Sequence, residues 1–199
     1  IFLDNTEITV TCFNRMHKNS RCSYAGKRGG NLFADITGLA DSADDQLSAI
    51  ADSFSTTVGK LLAEITGREF VDTDALITEK HGNISDIFTT HGEKVFRDME
   101  SEAVKEASRV CGRIIATGGG AVLRKENADA LKSNGRIFFL DRPVEELIPT
   151  DDRPLASSVD DIKKRYAERY GIYTATADVT VRIDCPPDEV AQRILKEIN

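Results

Sequence analysis

The stretch TVGKLLAEITGREFVDTD, residues 57–74, decides the fold of this chain. Its first half places apolar side chains at positions 58, 61, 62 and 65, which is the spacing of one face of a helix. Gly67 is a typical residue for ending that helix. The short run Glu69–Val71 then predicts a strand that ends at acidic residues. A helix followed at once by a strand indicates an alternating α/β chain.

The same alternation continues to the C-terminus. Helices are predicted over residues 75–80, 84–88, 93–110, 127–134, 161–170 and 187–198, and strands over 113–116, 136–140 and 179–183. Strands that alternate with helices form right-handed crossovers and a parallel sheet with helices on both faces. We therefore predict a three-layer α/β sandwich with a central parallel sheet. Its ligand site should lie at the carboxyl ends of the strands, where every motif described below falls.

Residues 1–55 have a different character. A strand is predicted over 7–13 and a short helix over 45–51, but the basic and acidic stretches around them show no period. We therefore expect an atypical segment over residues 1–55 and a folded domain over 56–199.

Composition excludes several classes of protein. The chain has 199 residues, 40% of them hydrophobic, and a formal net charge of -7, which argues against a general nucleic-acid binder. None of the four cysteines forms a CxxC pair, so we expect reduced thiols and no zinc site. No apolar run approaches the ~18–20 residues that cross a bilayer, and no signal-peptide pattern is present. We expect a cytoplasmic protein with neither nucleic-acid nor membrane partners.

Two carboxylates, Asp72 and Asp74, directly follow the predicted strand 69–71. Alternate residues of an extended segment point the same way, so both side chains are expected to reach one site. One carboxylate would hold Mg²⁺ through water, and the other would accept a hydrogen bond from a substrate hydroxyl. The alternative is a cap for the following helix, because Asp is a favoured N-cap residue.

Arg97 and Glu100 are three residues apart on a predicted helix and share a face. In the functional interpretation Glu100 holds the guanidinium while Arg97 binds a substrate carboxylate. The alternative is an ordinary solvated ion pair. The glycine turn, Gly118–Gly120, follows an apolar strand and would let bare backbone N–H groups approach a ligand, or would simply form a flexible turn.

Two further arginines are candidates for binding anionic groups. Arg153 lies in the segment 149–158, which is poor in apolar residues and is predicted to form a lid over phosphates, or else a polar loop. Arg169 lies near the end of a predicted helix, where it would bind substrate or complement the helix dipole.

Taken in order, the motifs VDTD, FRDMESE, IIATGGGAVLR, DRPLA and RYGIYTATADVTV resemble those of shikimate kinase over roughly residues 56–199. The resemblance implies a P-loop kinase fold of the nucleoside-monophosphate-kinase type. It also implies transfer of the γ-phosphoryl group of ATP, with Mg²⁺, to the 3-hydroxyl of shikimate, by a monomer. The implied pathway is chorismate and aromatic amino acid synthesis.

The resemblance implies a role for each candidate residue. Asp74 would orient the 3-hydroxyl and act as the catalytic base. The other residues that would hold shikimate are two arginines and the glycine turn, namely Arg97, Arg169, Gly118, Gly119 and Gly120.

On the nucleotide side the resemblance implies that Thr56 and Asp72 hold Mg²⁺. Ser55, Thr56 and Thr57 would contact ATP. Arg153 would reach from the lid and stabilise charge on the transferring phosphate.

One part of the family pattern is not readable. Where shikimate kinases have an apolar strand followed by GxxGxGKST, the aligned positions hold Ala49, Asp52, Phe54, Ser55, Thr56 and Thr57, without the lysine. Three explanations stay open. Residues 1–55 are foreign to the domain, or the chain has lost ATP binding, or the N-terminal segment rebuilds the site with residues 8–13 as its strand.

Three functions therefore stay open as well. The first is a shikimate kinase with weak turnover. The second is a shikimate-binding module without ATP turnover. The third is a related kinase for another hydroxy acid.

Overall fold

The computed structural model of the chain describes residues 10–14, 54–143 and 159–198. Within these ranges the strands, in chain order, are β1 (Val10–Asn14), β2 (Phe70–Asp72), β3 (Ile114–Ala116), β4 (Gly135–Asp141) and β5 (Val179–Arg182). The α-helices are α1 (Phe54–Thr66), α2 (Thr73–His81), α3 (Ile84–Ser108), α4 (Lys125–Asn134), α5 (Val159–Thr176) and α6 (Pro187–Ile198). A 3-10 turn, Ala121–Leu123, precedes α4.

The strands form one sheet in the order β2-β3-β1-β4-β5. The pairs β2–β3 and β4–β5 are parallel, as the alternating pattern predicts. The central strand β1 is antiparallel to both of its neighbours. The prediction of a wholly parallel sheet is therefore wrong at its centre.

The direction of β1 has a consequence for the site. Val10 lies opposite Phe139 and Asn14 lies opposite Gly135, so the chain leaves β1 at the amino end of β4. The strand predicted over residues 7–13 exists as Val10–Asn14 and occupies the central place. Its last residue, Asn14, however, lies at the edge opposite the carboxyl ends of β2, β3 and β4. The predicted helix 45–51 and the predicted lid 149–158 lie outside the described residues.

Alternate side chains of the sheet supply two cores. Ile137 and Phe139 pack on one face with residues of α3, α4 and α5, whereas Phe138 and Leu140 pack on the other face with residues of α1 and α6. This alternation follows from the period of two in a strand. Helices therefore cover both faces, and the three-layer arrangement is confirmed.

The span α3, which carries Arg97, consists of two helical parts, as the sequence predicts. The parts expected over 84–88 and 93–110 are separated at Gly92, whose φ of 80° and ψ of 171° are not helical. A positive φ is accessible to glycine at little cost, so the chain changes direction there without a separate loop. Among the helices of residues 54–143 and 159–198, none combines the length and the apolar character needed to cross a membrane.

Candidate active site

One carboxylate joins three elements at the carboxyl edge of the sheet. Asp72 ends β2 and caps α2, because its Oδ1 accepts hydrogen bonds from the backbone N–H groups of Asp74 (2.9 Å) and Ala75 (3.1 Å). Its Oδ2 accepts a 2.6 Å hydrogen bond from the Thr56 hydroxyl at the start of α1. The capping alternative for Asp72 is therefore confirmed. Asp74 lies in the first turn of a helix, so the expected extended arrangement of the two carboxylates is wrong.

Asp74 is half-buried, and the Oδ1 atom of its carboxyl is buried in the candidate site. Its Oδ1 has no hydrogen-bond partner among the described residues. Burial, reinforced by the charges of Asp72 and Glu100, raises the pKa of Asp74 to about 7, although Arg97 opposes the shift. A carboxyl with a pKa near neutrality is suited to accept a proton from a substrate hydroxyl.

Arg97 and Glu100 form a buried ion pair. Arg97 Nη1 lies 3.0 Å from both carboxylate oxygens of Glu100, and the two side chains are 12% and 2% exposed. The solvated ion pair left open by the sequence is therefore wrong. Burial raises the pKa of Glu100, while its contact with Arg97 opposes that rise.

The other edge of the Arg97 guanidinium is only loosely occupied. Nε and Nη2 each lie 3.4 Å from Oε1 of Glu93, an exposed residue. Hydrogen bonds of this length are weak. This edge presents two N–H groups in the geometry that binds a carboxylate in a bidentate manner.

The glycine turn fits closely against both groups. A Cβ on Gly118 would lie 3.4 Å from Asp74 Oδ2, and a Cβ on Gly120 would overlap the Arg97 guanidinium. None of the three glycines has a positive φ. Lack of space, rather than the flexible turn left open by the sequence, therefore explains the glycine at position 120. Gly119 is buried in the same turn.

The structure thus brings Asp74, Arg97, Gly118 and Gly120 together, with Asp72 and Thr56 beside them. Arg153 lies outside the described residues.

Arg169 lies on α5, one helical turn before Tyr173. Tyr173 packs in the core cluster that contains Ala121 and Val122 of the 3-10 turn next to the glycine turn. The Nη1 atom of Arg169 is buried. Arg169 therefore lies on a helix that packs beside the glycine turn. Its role in binding the substrate stays a prediction.

The nucleotide side is built differently from the family pattern. Ser55, Thr56 and Thr57 form the first turn of α1. Phe54 precedes them, and the Arg142 guanidinium lies 5.1 Å over its ring. Sequence reasoning missed this stacked pair. Phe54 aligns with the last glycine of the family loop, and Ser55 aligns with its lysine.

These residues fit Mg²⁺ better than they fit a triphosphate. The Thr56 hydroxyl and the Asp72 carboxylate supply the oxygen ligands that Mg²⁺ prefers. Within the described ranges no group of three or more His, Cys, Asp or Glu side chains is placed to hold a metal. With a phenylalanine ring and no lysine, the start of α1 does not fit a phosphate cradle of the family type.

A second arginine near the glycine turn was also missed. Arg124 Nη1 donates to the backbone oxygen of Arg97 (3.0 Å) and to Asp98 Oδ1 (2.8 Å). Asn127, which is buried, donates from Nδ2 to the backbone oxygen of Ala121 at 2.9 Å. In the sequence both residues look like ordinary polar positions at the start of a helix, and no local signal distinguishes them.

Comparisons with known proteins identify the family. A family model described as shikimate kinase matches residues 55–199. A shikimate kinase of Clostridium botulinum is 41% identical over 148 residues, which cover 72% of this chain and 89% of that protein. A shikimate kinase of Symbiobacterium thermophilum is 38% identical over 162 residues, covering 76% of this chain and 91% of that protein.

Solved structures give the same result. A shikimate kinase from Acinetobacter baumannii in complex with shikimate has a TM-score of 0.68 and 34% identity, covering 72% of this chain and 85% of that one. A shikimate kinase from Aquifex aeolicus has a TM-score of 0.64 and 35% identity, covering 71% of this chain and 88% of that one. The chain belongs to the shikimate kinase family.

Proposed function

We propose that this chain binds shikimate between Asp74, Arg97 and the glycine turn, and that it transfers the γ-phosphoryl group of ATP to the 3-hydroxyl. The observation that carries the proposal is the Asp74 carboxyl, whose buried Oδ1 has no hydrogen-bond partner among the described residues. It lies beside a guanidinium that Glu100 fixes from one side only. A hydroxylated carboxylic acid satisfies both groups at once. The family relationship supports a role in aromatic amino acid synthesis.

The substrate carboxylate would lie on the Nε–Nη2 edge of Arg97. Glu100 already occupies Nη1 with two 3.0 Å contacts, so the guanidinium plane is fixed before the substrate arrives. A guanidinium that is already held in place loses less conformational entropy on binding than a mobile one. Arg169 on α5 would provide a second positive charge, and Gly119 would bring its backbone against the ring of the substrate.

Asp74 would receive the proton of the 3-hydroxyl. Its pKa of about 7 leaves a large part of the carboxyl ionised at neutral pH, ready to accept a hydrogen bond. ATP with Mg²⁺ supplies the phosphoryl group. Thr56 and Asp72 would hold the metal ion. Arg153, from a lid over residues 149–158, would stabilise the developing charge.

A second function, shikimate binding without ATP turnover, is favoured by one specific observation. In the family pattern the phosphate loop directly follows the first strand, whereas here the chain leaves β1 at the opposite edge of the sheet. The stacked pair of Phe54 and Arg142 lies at the start of α1, where that loop would end. Loss of one charge-stabilising donor typically lowers a rate by ~10²–10³, so we expect weak turnover at most.

Two measurements on the full chain separate these functions. The first is a coupled ADP-release assay with shikimate, and the second is calorimetry with shikimate and with ATP·Mg²⁺ separately. Turnover of ~1–100 s⁻¹ would establish an ordinary kinase and overturn the expected weakness. Shikimate binding without nucleotide binding supports the binding module. If shikimate does not bind while another hydroxy acid from a substrate panel does, the third function is supported and the proposed substrate is wrong.

A further inference from the structure

Arg124 connects the glycine turn to the helix turn that carries Arg97. It lies between the 3-10 turn and α4, and its Nη1 has three acceptors on α3. These are the backbone oxygen of Arg97 at 3.0 Å, Asp98 Oδ1 at 2.8 Å and Ser101 Oγ at 3.2 Å. The Ser101 hydroxyl itself donates to the same backbone oxygen at 3.0 Å. One guanidinium nitrogen therefore fixes the segment after the glycine turn against this turn of α3.

Arg124 also acts on the ion pair that holds Arg97. Burial raises the pKa of Glu100, and the positive charge of Arg124 is among the influences that lower it again. An ionised Glu100 is the partner that fixes Arg97 Nη1. The contacts and the charge of Arg124 thus favour the same arrangement of Arg97.

The glycine turn is packed tightly against the turn of α3 that carries Arg97. A Cβ on Gly120 would already overlap the Arg97 guanidinium, so a small shift of the turn changes where that guanidinium lies. We infer that Arg124 is a positioning residue for the substrate carboxylate, acting by holding the glycine turn at a fixed distance from Arg97. The inference rests on the proposed function, because it assumes that Arg97 binds the carboxylate.

The chain offers a matched control. Arg113 donates to Glu69 through Nε (2.8 Å) and Nη2 (2.9 Å). The side chains of Arg113 and Glu69 are 19% and 58% exposed, compared with 28% and 58% for Arg124 and Asp98. Arg113 and Glu69 precede β3 and β2, so their ion pair lies at the edge of the sheet opposite the site. Removing it tests the general effect of losing a surface arginine.

The first experiment is calorimetric titration of shikimate into the full chain and its variants R124M, R124K and R113M. Outer partners of ligand-binding side chains, best known from metal sites, typically affect affinity by about 10–100-fold. We expect R124M to weaken shikimate binding by roughly tenfold or more, R124K to recover part of that loss, and R113M to bind like the unchanged protein. Equal binding by R124M and R113M would overturn the inference.

A second experiment needs no substrate. Crystal structures of the same four proteins show where the Arg97 guanidinium lies relative to Glu100 and the glycine turn. In the unchanged protein Arg97 Nη1 lies 3.0 Å from both carboxylate oxygens of Glu100. We expect R124M to displace the guanidinium from this position and R113M to keep it. If the unchanged protein binds no shikimate, the proposed function fails, and these structures still decide the role of Arg124. An Arg97 guanidinium in the same position in R124M would contradict that role.

Discussion

The Thr56 hydroxyl donates a 2.6 Å hydrogen bond to Oδ2 of Asp72, while the other oxygen of the same carboxylate caps α2. This one side chain therefore holds the start of α1, the end of β2 and the start of α2 at the same edge of the sheet. The hydrogen bond keeps the two oxygens proposed to hold Mg²⁺ adjacent, although the phosphate loop pattern is not readable.

The first prediction concerns the two functions of Asp72. Asp72→Ala removes the cap and the partner of Thr56, whereas Asp72→Asn keeps an oxygen that caps the helix. We expect the alanine variant to lose about 1–2 kcal/mol more free energy of unfolding than the asparagine variant. Urea denaturation measures the difference. Equal losses in the two variants would show that the cap contributes nothing.

The second prediction concerns space in the glycine turn. Gly120→Ala places a methyl group where the Arg97 guanidinium lies, so we expect shikimate binding to weaken by roughly 10–150-fold, which corresponds to losing one charged hydrogen bond of about 1.5–3 kcal/mol. Gly171→Ala is the matched control, because Gly171 is exposed on α5 and a Cβ added there would meet no neighbouring group within 4 Å.

The control should keep its affinity and gain about 0.5–1 kcal/mol of stability, as alanine does in a helix interior. Calorimetry and thermal unfolding measure both effects. Normal shikimate affinity in the Gly120→Ala variant would show that binding does not depend on the present position of the Arg97 guanidinium.

The third prediction concerns pH and stability. The pKa of Asp74 is about 7 in the folded protein, above the value of ~3.9 in an unfolded chain. The unfolded chain therefore loses this proton first, and the contribution of Asp74 to stability falls as pH rises from about 4 to about 7. At about 1.4 kcal/mol per pKa unit the fall is on the order of 4 kcal/mol.

Asp74→Asn stays neutral, so that part of the pH dependence should disappear. Chemical denaturation of both proteins at pH 4, 6 and 8 measures it. Parallel stability curves for the two proteins would contradict a raised pKa.

The fourth prediction concerns Glu93, whose carboxylate occupies the Arg97 edge proposed for the substrate. Exposed ion pairs contribute about 0.2–1 kcal/mol, so removing this competitor should strengthen shikimate binding by roughly two- to fivefold. Glu93→Gln tests this, with Glu102→Gln as the control that removes the same charge from an exposed position on α3. Weaker binding in the Glu93 variant would indicate that Glu93 supports Arg97 instead of competing with the substrate.

Much of this architecture follows from the sequence because each helix and strand has its own period. The apolar spacing of residues 58–65 predicts α1, and alternate residues of β4 face opposite cores as a strand requires. The acidic and glycine motifs lie at the same sheet edge because parallel strands end there.

Other features have no local signal in the sequence. The side chains of Val10–Asn14 alternate between the two faces of the sheet whichever way the strand runs. The sequence of β1 therefore does not reveal its antiparallel pairing, which depends on the neighbouring strands. Gly120 looks like a conformational glycine until the guanidinium beside it is seen. Arg124 acts on residues 23 to 27 positions away, and that distance in sequence hides its role.

The account depends most directly on whether a single shikimate molecule contacts Asp74, Arg97 and the glycine turn at once. A crystal structure of the chain with shikimate measures this. We expect the carboxylate within about 3 Å of Arg97 Nε and Nη2, and the 3-hydroxyl about 2.7 Å from an oxygen of Asp74. A shikimate molecule bound elsewhere, or bound here with its carboxylate directed away from Arg97, would contradict the account.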